Sequence, residues 1–200
     1  GRLRMKDRNF VWVKRKVTDE EAAAVEKLDL PGIAFLDEPK RFYPKGRLAA
    51  HVLGGVGLDN GGLAGIEQMF DEDIRGIPGV KLTLRDARGV RFLPEPGGHP
   101  AEAGRNVVLT IDATLQYVLE RELDAAVEKH QAKGAVGIVL DPFTGDVLAM
   151  AGVPSFDPNE FAKAPPAVRR NPAVAEAYEP GSTFKMVTFS AALEGSHIRP

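Results

Sequence analysis

A serine and a lysine stand three residues apart in the segment EPGSTFKM, which covers Glu179–Met186. Positions i and i+3 share one face of a helix, so the hydroxyl of Ser182 and the ammonium of Lys185 can meet there. A serine hydroxyl becomes a nucleophile when a neighbouring base takes its proton, and a desolvated lysine can be that base. The partial positive charge at a helix N-terminus also favours a developing alkoxide. These residues therefore predict an active-site serine at Ser182, with Lys185 as its base.

The residues around Ser182 strengthen this prediction, because the spacing alone arises about once by chance in a chain of this length. Pro180 and Gly181 end the preceding segment, and a serine suits the first turn of a helix. The apolar residues that follow predict a buried helix; they are Phe184, Val187, Phe189 and residues 191–193. A hydrophobic wall around Lys185 is what a lysine base requires. No other serine in the chain has a lysine three residues later.

The composition is that of a globular protein and argues against several functional classes. Of the 200 residues, 44% are hydrophobic and 27% are charged, and the net charge of −2 argues against a nucleic-acid partner. The absence of cysteine excludes disulfides and thiolate metal sites. The histidines lack metal-ligand spacing, so each is expected to be structural or on the surface, and the glycines between 54 and 65 match no nucleotide-binding motif. We therefore expect no cofactor and no bound metal.

The first of two predicted halves, residues 1–104, consists of short helices and strands joined by glycine-rich turns. A capping box of Thr18 and Glu21 opens a helix that runs to Leu28. The pattern further predicts a strand at 33–36, a helix at 46–57 that breaks into glycines, a second helix at 63–74, and a hairpin with strands at 80–84 and 90–93. A segment rich in proline and glycine, 94–100, joins the two halves.

The second half, residues 105–200, has a more regular pattern. It predicts a strand at 106–111, a helix from Asp112 to about residue 133, hairpin strands at 135–140 and 146–151, a loop at 154–172 and the Ser182 helix. The hairpin strands are apolar enough to be buried on both faces. This order of elements predicts an α+β fold in which helices pack on an antiparallel sheet.

Several of these segments together resemble the penicillin-binding proteins. The run Ser182–Lys185 resembles the first active-site motif that these proteins share with the serine β-lactamases. Residues similar to the start of a transpeptidase domain are 109–116, 141–150 and 154–159. Residues 41–54 and 65–67 resemble the N-terminal pedestal of the class B members, which are monofunctional peptidoglycan D,D-transpeptidases. The matches extend from about residue 8 to residue 195.

The resemblance implies two domains. Residues 1–104 would form the pedestal, a dimerisation-type domain that is incomplete at its N-terminus. Residues 105–200 would form the first part of the transpeptidase domain, an antiparallel sheet flanked by helices, truncated after the helix of the S-x-x-K motif. The membrane anchor would precede this sequence, and the catalytic part would lie on the periplasmic side of the bacterial inner membrane.

The resemblance also implies acyl transfer on cell-wall peptides, as in a serine-type D-Ala-D-Ala transpeptidase or carboxypeptidase. Ser182 would attack the carbonyl between the two terminal D-alanines of a stem peptide, Lys185 would accept the serine proton, and the Ser182 N–H would supply half of an oxyanion hole. An acceptor amine would then resolve the acyl-enzyme, and β-lactams would trap it. The implied partners are peptidoglycan stem peptides, β-lactams and, through the pedestal, membrane proteins of the divisome or elongation complex.

The resemblance leaves two alternatives open. A β-lactam sensor or serine β-lactamase would share the motif of Ser182 and Lys185, but it needs no pedestal. A non-catalytic scaffold would dock cell-wall assembly partners through its pedestal, although the presence of both residues disfavours it. The family's Ser-x-Asn and Lys-Thr/Ser-Gly motifs would lie downstream, so we expect the 200 residues alone to be inactive.

Overall fold

The computed structural model describes residues 10–80, 83–85, 91–94 and 98–195. The helices are α1 (Asp19–Glu26), α2 (Ala50–Leu53), α3 (Gly65–Met69), α4 (Asp71–Ile74), α5 (Ala113–His130), α6 (Pro166–Arg169), α7 (Pro172–Ala175) and α8 (Lys185–Glu194), with 3-10 helices at Pro158–Lys163 and Gly181–Phe184. The strands are β1 (Gly55–Val56), β2 (Gly62–Ala64), β3 (Thr83–Arg85), β4 (Arg91–Pro94), β5 (Ala135–Leu140) and β6 (Val147–Val153). None of the helices in these ranges combines the length and the apolar character that crossing a bilayer requires.

The described strands form antiparallel pairs, which agrees with the predicted α+β class. β1 pairs with β2, β3 with β4, and β5 with β6. The β3–β4 pair confirms the hairpin predicted in the first half, and its turn at 86–90 lies outside the described residues. The β5–β6 hairpin, also predicted, is the longest pair and runs from Ala135 opposite Val153 to Leu140 opposite Val147.

The longest helix, α5, packs across the β5–β6 hairpin. The Asp112 carboxylate caps it by accepting hydrogen bonds from the N–H groups of Thr114 (2.8 Å) and Leu115 (2.9 Å). The predicted helix from Asp112 to about residue 133 is therefore confirmed, three residues shorter at its end. The capping box of Thr18 and Glu21 likewise opens α1 as predicted.

The β5–β6 hairpin buries only one face along β5, so the prediction of burial on both faces is wrong. Ala149 and Ala151 lie opposite Val139 and Gly137, and cross-strand partners share a face. Both alanines are buried, and Leu119 of α5 approaches Gly137 on this face. On the opposite face of β5, three apolar side chains stay about half exposed, namely Val136, Ile138 and Leu140. The reason is coverage: α5 spans the first face, whereas the four-residue α7 is too short to cover the second.

The helices predicted at 46–57 and 63–74 are wrong in length, because the chain forms the shorter α2, α3 and α4. Phe70, with a non-helical φ of −112° and ψ of 25°, separates α3 from α4. Gly54 ends α2 with a φ of 77°, and Gly65 begins α3 with a φ of 59°. These two glycines also lie where backbones meet, since a Cβ at Gly54 would lie 1.8 Å from the carbonyl oxygen of Ala64. The left-handed backbone and the close approach both require glycine here.

The strands predicted at 33–36 and 106–111 are also wrong, because neither segment has a ladder partner among the described residues. Thr110 and Asp112 instead donate single hydrogen bonds, of 2.6 and 2.8 Å, to carbonyls of the first two residues of β6. The segment before α5 therefore bonds to the first two residues of β6 and does not run along the strand.

The best-buried apolar cluster joins the two halves of the chain. Ala50 of α2 packs with Phe156 and Phe161 from the segment 154–172, which forms a 3-10 helix and α6 where the sequence predicts a loop. The two phenylalanine rings meet edge to face with 5.6 Å between their centroids. This part of the first half therefore packs directly against the second half.

Candidate active site

Ser182 lies in the 3-10 helix Gly181–Phe184, which leads directly into α8. Gly181 has a left-handed φ of 52°, and a Cβ there would meet nothing within 4 Å. The backbone conformation, not a lack of space, therefore requires glycine. Thr183 steadies the turn, because its N–H (3.1 Å) and its hydroxyl both donate to the carbonyl of Pro180.

Lys185 is the first residue of α8, one 3-10 turn after Ser182. Its N–H donates to the carbonyls of Ser182 and Thr183, and residues three apart eclipse each other in a 3-10 helix. Among the described residues, the side-chain hydrogen bonds of this stretch belong to Thr183 and Thr188, not to Ser182 or Lys185. The turn places the two residues on one face of the 3-10 helix, and their catalytic roles stay predictions.

Both Ser182 and Lys185 are exposed, and α8 has no buried residue. The helix forms, but the prediction that its apolar face is buried is wrong. The exposed apolar side chains on and beside α8 are Phe184, Met186, Val187, Phe189 and Leu193. A lysine base needs desolvated surroundings, and the described residues do not surround Lys185 in this way.

Among the cavities in the described surface are two that neither Ser182 nor Lys185 lines. One of about 330 Å³ lies between residues 43–53 and residues 109–116. The other, of about 880 Å³, lies along β5 and reaches Tyr178 on the chain that leads to Ser182. Within the described ranges, no group of three or more side chains is placed to hold a metal ion.

Three polar side chains hold the segment between β6 and Ser182 in place. The Asn159 amide accepts from the N–H of Tyr43 (3.0 Å) and donates to the carbonyl of Tyr43 (2.9 Å). The His51 ring bonds to the carbonyl of Val168 at 2.9 Å. Asn171 caps α7 through its side-chain oxygen, and its amide nitrogen donates to the sulfur of Met150 in β6 at 3.3 Å. Asn159 and His51 both lie in segments that resemble the penicillin-binding proteins, but the sequence did not predict these contacts.

His51 is buried at this junction, which agrees with the expected structural role. Its ring meets Phe156 edge to face, with 5.3 Å between centroids. Burial lowers the pKa of His51, and the bond to the Val168 carbonyl and the charge of Glu120 oppose that shift only in part. A carbonyl can only accept a hydrogen bond, so Nε2 of the neutral ring carries the proton.

A second polar cluster ties Tyr43 to α3. The Tyr43 hydroxyl donates to Glu67 at 3.1 Å, and Nε of Arg41 donates to the same carboxylate at 3.2 Å. Burial raises the pKa of Tyr43, and the charge of Glu67 raises it further. Tyr43 therefore stays a hydrogen-bond donor at physiological pH. All three residues lie in the segments 41–54 and 65–67. The resemblance of these segments to the pedestal is the sequence feature that could have indicated this cluster.

Gln116 of α5 is fully buried, and its side chain takes the place of a strand partner for β6. The amide accepts from the N–H of Met150 (2.8 Å) and donates to the carbonyl of Met150 (2.9 Å). It also donates to Glu120 at 2.7 Å, and Glu120 accepts from the N–H of Ala49 at 2.8 Å. One hydrogen-bond network therefore connects β6, α5 and Ala49, the residue that precedes α2.

Two family models match this chain in sequence order. The Penicillin-binding Protein dimerisation domain matches residues 3–109. The Penicillin binding protein transpeptidase domain matches residues 135–200. The two matches follow the same order as the dimerisation-type and transpeptidase domains that the resemblance implies.

Curated relatives match nearly the whole chain. Stage V sporulation protein D of Bacillus subtilis is 39% identical over 92% of this chain and 29% of its own length. The probable peptidoglycan D,D-transpeptidase PenA of Neisseria meningitidis is 37% identical over 97% of this chain and 34% of its own. The peptidoglycan D,D-transpeptidase FtsI of Escherichia coli is 35% identical over 95% of this chain and 32% of its own. The chain thus spans 29–34% of the length of these relatives.

Solved structures support the same fold. A peptidoglycan synthetase from Bifidobacterium adolescentis matches with a TM-score of 0.67 and 29% identity, over 94% of this chain and 34% of its own. Penicillin binding protein 3 from Mycobacterium tuberculosis, in complex with aztreonam, matches with a TM-score of 0.65 and 34% identity, over 80% of this chain and 33% of its own. The predicted fold, a dimerisation domain followed by part of a transpeptidase domain, is confirmed.

Proposed function

Because this chain belongs to the penicillin-binding protein family, we propose that its protein is a class B peptidoglycan D,D-transpeptidase with Ser182 as the nucleophile. The observation that carries the proposal is the pair Ser182 and Lys185. The two residues lie three apart in sequence, on a 3-10 turn inside the transpeptidase match. The relatives named as peptidoglycan D,D-transpeptidases support it.

In the proposed reaction, Lys185 takes the proton of the Ser182 hydroxyl as the oxygen attacks the carbonyl of the penultimate D-alanine. The peptide bond to the terminal D-alanine breaks, and that residue leaves as the free amino acid with a proton on its amine. An acceptor amine then displaces Ser182 and forms the cross-link, whereas water in its place would give carboxypeptidase activity. The Ser182 N–H supports this role, since N–H groups in the first turn of a helix lack intrahelical partners and can face an oxyanion.

We propose the division of the chain at residues 104 and 105 into a pedestal and the start of a transpeptidase domain. We place the catalytic part on the periplasmic side of the inner membrane, with stem peptides and β-lactams as ligands and divisome or elongation-complex membrane proteins as pedestal partners. The complex of the Mycobacterium tuberculosis relative with aztreonam supports the β-lactam part.

The exposure of Lys185 bears on what this stretch can do by itself. A lysine acts as a base when its surroundings disfavour the ammonium form, and an exposed lysine lacks such surroundings. We therefore expect the 200 residues expressed alone to form no penicillin adduct. A stoichiometric adduct on the isolated chain would contradict this expectation.

The proposed nucleophile is tested by intact-protein mass spectrometry of the full-length protein after incubation with benzylpenicillin. The unmodified protein is expected to gain one drug mass and keep it, and Ser182→Ala to gain none. Lys185→Ala is expected to slow acylation by about a hundredfold or more, as for the loss of a general base. Ser190→Ala, which changes an exposed serine of α8, is the matched control and is expected to behave like the unmodified protein.

Two outcomes would change the assignment. An adduct that persists in Ser182→Ala would remove Ser182 from the mechanism. An adduct that disappears within seconds while the drug is consumed would favour a β-lactamase, and no adduct on the folded full-length protein would favour a scaffold.

A further inference from the structure

Two side-chain clamps join residues 43–51 to the segment 154–172. Asn159 bonds to both backbone polar groups of Tyr43, which lies 116 positions away. His51 bonds to the carbonyl of Val168, 117 positions away. Tyr43 and His51 are nearly buried, at 9% and 6% exposure, so water competes little for these bonds.

Each clamp is itself held by other contacts. The Asn159 amide donates a second bond to Asp157 (2.9 Å), whose carboxylate also accepts from the Asn159 N–H at the start of the 3-10 helix. This arrangement leaves the amide one orientation, because exchanging its oxygen and nitrogen would break the bonds to Tyr43. The His51 ring is held edge-on to Phe156, which orients Nε2 toward Val168. Burial favours the neutral ring, as its lowered pKa indicates.

The clamped segment is the route from β6 to Ser182. Between the end of β6 at Val153 and the 3-10 helix of Ser182, the described chain forms no strand and its longest helical stretch is six residues. Ordering such a chain costs backbone entropy at every residue, so its position depends on side-chain and packing contacts. Asn171 adds a third attachment at α7, ahead of Ser182.

We propose that Asn159 and His51 are positioning residues for the nucleophile: they clamp the segment 154–172 to residues 43–51 and thereby hold Ser182 in its place beyond β6. The proposal rests on Ser182 being the proposed nucleophile. Neither residue touches the reacting atoms. Their effect is carried by the chain between Val168 and Ser182.

Four variants at Asn159 and His51, together with one control variant, separate positioning from general stability in the full-length protein. Asn159→Leu removes all bonds of the amide, and Asn159→Asp keeps an acceptor for the Tyr43 N–H but loses the donor to its carbonyl. His51→Phe keeps the ring against Phe156 but has no N–H, whereas His51→Gln can place an amide N–H near the position of Nε2. Arg47→Gln is the matched control, because Arg47 also extends from residues 43–51 but pairs with Asp124 of α5 (2.9 Å) instead of the clamped segment.

The first measurement is hydrogen–deuterium exchange of the backbone amides between 172 and 190, below the melting temperature of each variant. We expect at least about fivefold faster exchange in Asn159→Leu and His51→Phe, partial rescue in His51→Gln, and no change in Arg47→Gln. The second is the benzylpenicillin acylation rate, which should fall about tenfold in the first two variants without loss of the adduct at saturation. Ser182→Ala shows whether the adduct reports on Ser182.

Unchanged exchange at 172–190 in both Asn159→Leu and His51→Phe would overturn the proposal, even if their melting temperatures fell. Equal effects in Arg47→Gln would also overturn it, because the clamps would then be no different from any contact of residues 43–51. If the unmodified protein formed no adduct, the proposed function would fail, and the exchange data would still decide whether the clamps position this segment.

Discussion

At the scale of single residues, the buried polar groups of this protein join segments that are distant in sequence. Gln116 is the clearest case, because one amide satisfies both backbone groups of Met150 and also bonds to Glu120. A buried N–H or carbonyl without a partner costs about 1–3 kcal/mol, so such a side chain is hard to replace. Gln116 therefore fixes the position of α5 on β6 more narrowly than apolar packing would.

Gln116→Leu is expected to lower the free energy of unfolding by about 3 kcal/mol, because Met150 loses two hydrogen bonds and Glu120 loses one. Urea denaturation of the full-length protein measures this change. Gln68→Leu, at an exposed glutamine of α3, is the control and should change stability by about 0.5 kcal/mol or less. Equal effects of the two substitutions would show that the Gln116 network contributes little.

His51 is expected to make stability depend on pH below neutrality. Its ordinary pKa is 6.5 and its folded pKa is lower because of burial, with Glu120 as the opposing charge nearby. Above 6.5 both states hold the neutral ring, so the full stability is present; as the pH falls below 6.5, the unfolded chain binds a proton that the folded ring resists. Stability is therefore lost as the pH drops from 6.5 through the folded pKa.

The measurement is the melting temperature of the full-length protein between about pH 7.5 and about pH 5, beside His51→Phe. The unmodified protein should lose more of its melting temperature over this range than the variant, which has no titrating ring at this position. Parallel curves would show that His51 does not contribute to the pH dependence.

At the scale of elements, two glycines set where α2 ends and where α3 begins. Gly54 and Gly65 both have left-handed backbones, and a Cβ at Gly65 would lie 2.6 Å from the backbone nitrogen of Gly54. The resulting corner carries Ala50 and His51 of α2 into contact with Phe156. The glycines therefore contribute to the junction between the two halves.

Gly54→Ala is expected to destabilise the protein by more than about 2 kcal/mol, since its Cβ would lie 1.8 Å from the backbone oxygen of Ala64 and the φ of 77° is unfavourable for alanine. Gly61→Ala is the matched control from the neighbouring turn, where a Cβ meets nothing within 4 Å. Thermal unfolding compares the two variants. A melting temperature for Gly54→Ala equal to that of the control would contradict the close approach.

At the scale of the whole molecule, the described residues leave apolar surface uncovered, and two of the uncovered places lie in the second half of the chain. One is α8 with its neighbour Phe184, and the other is the outer face of β5. Exposed apolar surface of this kind is typical of an interface or of an uncovered core. The buried contacts, by contrast, concentrate where residues 43–64 meet α5, β6 and the segment 154–172.

The 200-residue chain is expected to bind the dye ANS, because the dye becomes fluorescent on accessible apolar surface. Combining Met186→Gln with Phe189→Gln should lower the fluorescence, since both side chains are more than half exposed on α8. Thr188→Gln, at an exposed polar position of the same helix, should leave it unchanged. Unaltered fluorescence in the double variant would show that α8 is covered in solution.

The sequence by itself determined the features that depend on a few neighbouring residues. The capping box at Thr18, the cap at Asp112 and the β5–β6 hairpin are local, and each formed as predicted. The motif of Ser182 and Lys185 is also local, and the family assignment agrees with it, while its catalytic roles stay predictions. Hydrogen bonds and turns within a few residues follow from side-chain chemistry and backbone geometry, so periodicity and spacing indicate them.

Tertiary structure alone decided which faces are covered and which distant groups meet. The pattern of α8 and of β5 is that of buried elements, yet burial depends on a neighbour that periodicity does not specify. The pairing of Tyr43 with Asn159 spans 116 positions, so no local signal could indicate it. Gln116 is a further case, a polar residue on an apolar helix face. Its amide bonds to the backbone of Met150, and only the fold brings that backbone within hydrogen-bonding distance.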